Sequence, residues 1–353
     1  MASRAMAAID ADAHVIETTA TFAYLSEAEK EHLPAIVAQT FGNEARNNAG
    51  DPMREFWVVD GAIHGKDRNV GLDTPRESRE MSDVAARLRH MDALGIDVQV
   101  LYPTLFLRPI ARSFRSEAAL VGAYNRWLAD IWAEGGGRLR WVVMPALQSM
   151  HRIGEQLEFG KRHGACGVFM RGLECDLPLA HPYFFPLYEA AQALDLPICI
   201  HSANGSIVHH DFYVEDTTFT MFKLTVVGAL HSLVEKAVPA EFPRLRWGFI
   251  EASAQWVPYV LNDLEDRFRR AGKPFFDAAL AENNMYVACE VTDDLPYVLQ
   301  HAGEDNLVVG TDYGHHDPSA EIDAIGLMRE DARVPPHVRR KILEANPRAL
   351  YGL

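Results

Sequence analysis

Short runs rich in Val and Ile alternate with stretches of helical pattern along most of the chain, and no other feature limits the fold as strongly. The runs centre on Ile9, Val98, Val142, Val168, Ile198, Phe249, Val287 and Val308. Helical spacing fills the intervals, as from Ser82 to a stop at Gly95, from Ala118 to Ala133 and from Leu224 to Val238. Apolar strands followed by helices are the signature of parallel β/α units, because a parallel sheet is covered on both faces. Eight such units in 353 residues predict an α/β fold, a (β/α)8 TIM barrel. A doubly wound open sheet is the second architecture that fits. No G-x-G-x-x-G follows the first strand and no G-K-S/T loop occurs, so nothing speaks for a dinucleotide or NTP site.

The first interval breaks the pattern. Between Thr18 and Arg79 the segments N-N-A-G-D-P and G-K-D-R-N-V-G are loop chemistry, while Trp57 to Ile63, W-V-V-D-G-A-I, reads as one strand of a small hairpin. We expect one domain over residues 1–353, with residues 18–79 as an insertion after the first strand, packed over the barrel.

Composition removes several classes of function. A formal charge of −15 argues against nucleic-acid binding, which needs clustered Lys and Arg. No apolar run reaches the roughly 18 residues of a membrane span, and no secretory signal opens the chain, so a cytoplasmic protein with a small-molecule partner is expected. Cys166, Cys175, Cys199 and Cys289 form no C-x-x-C pair and read as buried reduced thiols.

In a barrel of this kind the active site lies at the carboxyl ends of the strands. Strand one ends in Asp12 and His14, two apart and therefore on one side, with Glu17 just beyond. Strand four ends at Arg171, strand five at His201, strand six at Glu251, strand seven at Glu290 and strand eight at Asp312. Each residue alone has a bland reading. His201 could be a core histidine, Glu251 a carboxylate at a helix N-terminus, Arg171 half of a structural ion pair and Asp312 a turn former. Their convergence on one mouth is what a divalent cation needs, imidazoles for affinity and carboxylates to offset charge.

The segments D-A-D-A-H, L-P-I-C-I-H, F-I-E-A-S-A-Q-W-V-P-Y-V-L-N-D-L-E-D-R, G-T-D-Y-G-H-H-D and I-L-E-A-N-P-R-A-L-Y-G-L together resemble the amidohydrolase-related family. That branch of the amidohydrolase superfamily includes aminocarboxymuconate semialdehyde decarboxylase and the resorcylate and carboxyvanillate decarboxylases. The resemblance spans essentially the whole chain. It implies metal ligands at Asp12, His14, His201 and Asp312, a divalent Zn, Mn or Fe ion, and a homodimer or larger assembly. Three departures stand out: Asp12 replaces the first histidine of a His-x-His pair, Glu251 replaces a histidine at the end of strand six, and Gly314 replaces a proline ahead of His315. The carboxylate-richer site suits Mn or Fe.

Two chemistries follow from the resemblance, both on a small cyclic or aromatic, carboxylated substrate. In hydrolysis, Asp312 accepts a proton from water; in decarboxylation, it handles the proton at the carbon that loses CO₂. Asp312, Glu251 and His315 are the expected catalytic groups. Arg171 is expected to fork an anionic group, with Tyr102, Phe106 and Trp256 as apolar walls, or as core aromatics. A different enzyme class is a diiron oxygenase or hydroxylase, if Glu17, His209 and His210 complete a second metal site. A third reading is an inactive barrel that binds a ligand.

Overall fold

Each Val- and Ile-rich run becomes a strand: β1 (Ile9–His14), β2 (Val98–Tyr102), β3 (Leu139–Val143), β4 (Ala165–Arg171), β5 (Ile198–His201), β6 (Trp247–Ile250), β7 (Met285–Cys289) and β8 (Leu307–Val309). The computed structural model describes residues 7–40, 53–66, 69–212 and 219–353. The strands lie side by side in chain order, and every neighbouring pair is parallel. Sequential order excludes the doubly wound sheet, whose first strand lies in the interior.

The chain leaving β8 turns onto β1 and closes the ring. Thr311 and Asp312 donate their backbone N–H groups to Asp12 O at 3.1 and 3.0 Å, and His14 N–H donates to Tyr313 O at 2.9 Å. Gly310 makes this approach possible: a Cβ there would stand 2.3 Å from Asp12 Cβ and 2.8 Å from Asp12 N. Beneath the closure, Asp10 accepts from Thr311 N (2.9 Å), Thr311 Oγ1 (2.7 Å) and Gln99 Nε2 (2.8 Å). Gln99 Oε1 in turn accepts from Arg87 Nε at 2.7 Å, and Arg87 Nη1 donates to His14 O at 3.2 Å. All four polar side chains of this network are buried.

Helices cover the outside. α1 (Val84–Leu94) starts at Asp83, whose carboxylate caps Ala86 N, and stops at Gly95 in the left-handed region, as its sequence pattern predicts. α2 (Phe114–Glu134), α3 (Ile153–Arg162), α4 (Phe185–Ala193), α5 (Leu224–Glu235), α6 (Val257–Arg270) and α7 (Leu295–Ala302) follow their strands. Apolar residues of strands and helices form one continuous core.

Between β1 and α1 lies an antiparallel sheet of Ala35–Thr40, Met53–Val59 and Ala62–Gly65. Asp60 and Gly61, both at positive φ, make the two-residue turn that the D-G pair prescribes. Trp57 is buried against Phe22, with ring centroids 5.4 Å apart. The end of this segment is laced to the loop after β8: Val70 bridges His315, and Gly71 N donates to Gly314 O at 3.3 Å. The expected N-N-A-G-D-P loop and the acidic residues Glu215 and Asp216 lie outside the described residues. All four cysteines are free thiols, three of them buried and Cys175 half-buried. Among the described residues no helix is long and apolar enough to cross a membrane.

Candidate metal centre

Strand ends deliver the polar groups to one buried point. His14 donates from Nδ1 to Pro103 O at 2.9 Å, and a carbonyl can only accept, so the proton sits on Nδ1 and Nε2 keeps its lone pair. His201 is turned the same way, with Nδ1 3.3 Å from Ser202 O. The two Nε2 atoms face each other at 3.2 Å. Around them, Asp12 Oδ1 lies 3.2 Å from His201 Nε2 and 3.5 Å from His14 Nε2. Glu251 Oε2 lies 3.1 and 3.8 Å from the same two atoms, and Asp312 Oδ1 lies 3.3 Å from His14 Nε2. A cation with bonds of about 2.1 Å separates its ligand atoms by roughly 3.0 Å along octahedral edges and 3.4 Å along tetrahedral ones. The spacing observed is that of a coordination shell.

Electrostatics agree with the geometry. Burial pushes the Glu251 carboxyl far above its usual range, with the charges of Asp312, Asp317 and Asp12 adding to the rise. Burial likewise lifts Asp312 to about 7, against the pull of His315. Burial also holds His14 down at about 3, the neutral state a ligand requires. For Asp12, burial acts upward but is outweighed by His201 and His14, which keep its carboxyl well below the usual range. Glu251 Oε2 and Asp312 Oδ2 lack a hydrogen-bond donor. Crowded buried carboxylates without donors are costly unless a cation joins them, so the donor set fits a divalent metal. Glu251 and Asp312 reach this point from left-handed backbone, φ 58° and 51°, which is strained for residues with a Cβ.

His315 stacks on His14 with ring centroids 3.9 Å apart. Its Nδ1 is 2.7 Å from Asp312 Oδ1, and its Nε2 is 2.9 Å from Thr104 Oγ1. The Thr104 hydroxyl spends its one hydrogen on Val15 O (2.8 Å) and must accept from His315 Nε2–H. One proton is then left to be shared between His315 Nδ1 and Asp312. Burial lowers His315, but Asp312 more than reverses this and lifts it to about 9.

The other residues expected at the site are placed as follows. The Arg171 fork, expected to hold a substrate anion, is taken by Glu174, with Nε to Oε1 at 2.8 Å and Nη2 to Oε2 at 2.6 Å, so Arg171 stands in a structural ion pair. Tyr102 and Phe106 are buried; the Tyr102 ring packs 4.9 Å from that of His201, and its hydroxyl pairs with Tyr351 at 2.8 Å. Trp256 packs beside Phe249, with ring centroids 6.5 Å apart. Glu17 is buried and accepts the N–H groups of Thr104 (3.1 Å) and Leu105 (2.8 Å), fixing the loop that presents Thr104. His209 contacts Asn204, and His210 Nε2 is 3.0 Å from Asn204 O. Among the described residues, the clusters able to hold an ion combine Asp12, His14, His201, Glu251, Asp312 and His315, and include none of Glu17, His209 or His210.

A cavity of about 130 Å³ opens beside Glu251, lined also by Leu107, Ser202, Phe219, Phe222, Lys223 and Ser319. Of these lining residues only Glu251 was expected individually; Ser202, Phe219 and Phe222 belong to the Ser202 to Phe222 segment, which lacks a clear sequence period.

A family model described as amidohydrolase matches residues 9–353. The chain belongs to the amidohydrolase family. No curated protein matches it in sequence. Among solved structures, this amidohydrolase is similar to an amidohydrolase from Mycobacterium avium subsp. paratuberculosis K-10, at 18% identity and TM-score 0.79 over 99% of each chain. It is similar to 5-carboxyvanillate decarboxylase from Sphingomonas paucimobilis, at 17% identity and TM-score 0.69 over 99% of this chain and 100% of that one. A third is 5-carboxyvanillate decarboxylase from Novosphingobium aromaticivorans, complexed with manganese and 4-hydroxy-3-methoxy-5-nitrobenzoic acid. It shows 21% identity and TM-score 0.64 over 80% of this chain and 85% of that one. At these identities the likeness concerns the fold.

Proposed function

We propose that this amidohydrolase is a metal-dependent carboxy-lyase that removes CO₂ from a small aromatic acid bearing a hydroxyl next to its carboxylate. The observation that carries the reading is the Asp312–His315 pair, sharing one proton beside a ligand set fit for a divalent cation. Decarboxylases among the similar structures support it, one of them holding manganese and a substituted hydroxybenzoic acid. Asp12, His14, His201 and Glu251, which form one cluster, would hold the ion, with Asp312 beside His14 at its edge. The carboxylate-rich set suits manganese better than zinc. Once bound, the cation supplies a Lewis acid for the substrate's carboxylate and adjacent hydroxyl.

The chain's own groups do the rest. Asp312, which shares a proton with His315 across 2.7 Å, delivers that proton to the ring carbon as the bond to CO₂ breaks. The departing CO₂ leaves its electron pair on that carbon, and the proton fills the position. His315 returns a proton to Asp312 through Nδ1, while Thr104 fixes its ring. Leu107, Phe219 and Phe222 wall the cavity of about 130 Å³ and give it apolar sides. We read residues 1–353 as one domain, with residues 18–79 as an insertion that braces the loop after β8.

The test is isotopic. Manganese-loaded protein incubated with hydroxybenzoic acids in D₂O should release CO₂ and give a phenol with one deuterium at the vacated carbon, and chelation should stop the reaction. Hydrolysis is the second reading, with Asp312 accepting a proton from water; it would instead place ¹⁸O from labelled water in the product. Loaded protein that releases no CO₂ from any mono- or dihydroxybenzoic acid sinks the lyase reading.

A further inference from the structure

We infer that the cavity between the first turn of α2 and the hairpin after β4 is a second small-molecule site, suited to a ligand that carries an ammonium group on an apolar ring. The cavity has a volume of about 230 Å³, above the roughly 150 Å³ that takes up benzene. It shares no lining residue with the cavity beside Glu251, and none of the clustered ligand residues lines it. Phe106 lines this cavity and Leu107 the other, so the turn Leu105–Leu107 stands between them. Ligand binding here is independent of the lyase reading.

The walls are tied in place. Cys175 and Asp176 make the turn of the hairpin Leu173–Glu174 and Leu177–Pro178, with φ of 52° and 59°. Such turns ordinarily take Asn-Gly, and neither residue here is glycine, so the hairpin carries backbone strain. Three bonds secure it. Gly205 N–H donates to Leu173 O at 2.8 Å, and Asp176 Oδ1 accepts from Ser206 Oγ at 2.7 Å and from Val208 N–H at 3.1 Å. Phe106, Ile110, Val121, Met144 and Ile207 supply the apolar lining.

Charge sets the ligand class. Two cations, Arg108 and Arg171, line the cavity, and both are already engaged. Arg171 gives its fork to Glu174, at 2.8 and 2.6 Å, and Nη1 to Phe106 O at 3.3 Å. The Arg108 guanidinium stands 5.5 Å from the centroid of the Phe222 ring, and Phe222 lines the other cavity. That leaves the carboxylates of Glu117 and Asp176, whose printed partners are neutral: Glu117 Oε2 accepts from Gln148 N–H at 2.8 Å. Burial lifts the Glu117 carboxyl to about 7, with Glu174 adding to the rise, against the pull of Gln148 and Arg171. An ammonium placed there repays the charge that burial penalises, through a charge-assisted hydrogen bond. Among the described residues no cluster able to hold a metal ion includes Glu117, so the fitting cation is organic.

The experiment is calorimetric titration of manganese-loaded protein with three probes of similar shape, benzylammonium, benzyl alcohol and benzoate. At pH 8 wild-type protein should bind benzylammonium roughly tenfold or more tightly than either of the others, and Glu117→Gln should erase that preference. A second measurement needs no variant. Lowering the pH from 8 to 6 protonates Glu117 and should weaken benzylammonium by about tenfold while leaving benzyl alcohol unchanged. Arg171, Glu174, Cys175 and Tyr183 lie around Glu117. Burial keeps the Cys175 thiol up at about 12 and the Tyr183 phenol above its usual range, and Glu174 outweighs burial to hold Arg171 charged, so these three do not titrate in that window. Equal binding of benzylammonium and benzyl alcohol, tighter binding of benzoate, or an ammonium preference that survives Glu117→Gln overturns the proposal.

Discussion

Gly310→Ala tests whether the barrel seam and the metal ligands are one mechanical unit. The added Cβ would lie 2.3 Å from Asp12 Cβ and 2.9 Å from Asp12 Cα. Carbon atoms rest at 3.5–4.0 Å, so the strands must part by roughly 1 Å or more. Parting strains the bonds from Thr311 N and Asp312 N to Asp12 O and the two from Thr311 to Asp10. Overpacking costs about 1–3 kcal/mol, and the loss of two of these bonds at about 1 kcal/mol each brings the expected loss to roughly 3–5 kcal/mol. Asp12 moves with its backbone, so metal content should fall as well. Urea unfolding followed by circular dichroism measures the first effect and elemental analysis of purified protein the second. Gly228→Ala is the control: it lies in α5 with open space around it and should stabilise by about 0.5–1 kcal/mol. If Gly310→Ala stays within 1 kcal/mol of wild type at full metal content, the seam does not position Asp12 and the reasoning is wrong.

Other expectations concern single side chains. His201→Ala should lower metal occupancy, read by elemental analysis; full occupancy would remove His201 from the ligand set. Asp312→Asn should keep the fold but lose most turnover, since an amide can neither give nor take the proton, and near-normal rates in that variant would refute its role. Glu117 is not one of the clustered ligand residues, and burial lifts its carboxyl from 4.5 to about 7. The folded state then binds more protons than the unfolded one between pH 4.5 and 7, so stability should decline as pH rises through that window and level off above it. Glu117→Gln should flatten this decline and stabilise the protein at pH 8 by about 3 kcal/mol, and an unchanged pH profile of urea midpoints would count against it.

The barrel could be read from the chain because strand identity is local information: alternating patterns, β-branched runs and a Gly stop at residue 95 each act within a few residues. The ligand candidates followed because a residue at a strand's carboxyl end must face the mouth, as Asp12, His14, His201, Glu251 and Asp312 do. Arg171 obeys the same rule but meets Glu174, returned to it by the short strand pair Leu173–Glu174 and Leu177–Pro178, which is too brief to leave a periodic trace. Thr104 escaped notice for a related reason. Its partner His315 lies 211 residues away in the chain, and no spacing rule joins such a pair. Tyr102 and Phe106 were legible as aromatics near the mouth, yet only packing decides that they face the interior.

The bond from Thr311 to Asp10 joins positions 301 residues apart. At translation rates of about 5–20 residues per second, β1 leaves the ribosome roughly 15–60 s before the segment that completes its pairing is made. During that interval Asp12 and His14 are held on an unclosed edge, without Asp312 beside them. Cation capture by the full ligand set is therefore a late event in the life of each molecule, timed by the synthesis of the segment that carries Thr311 and Asp312.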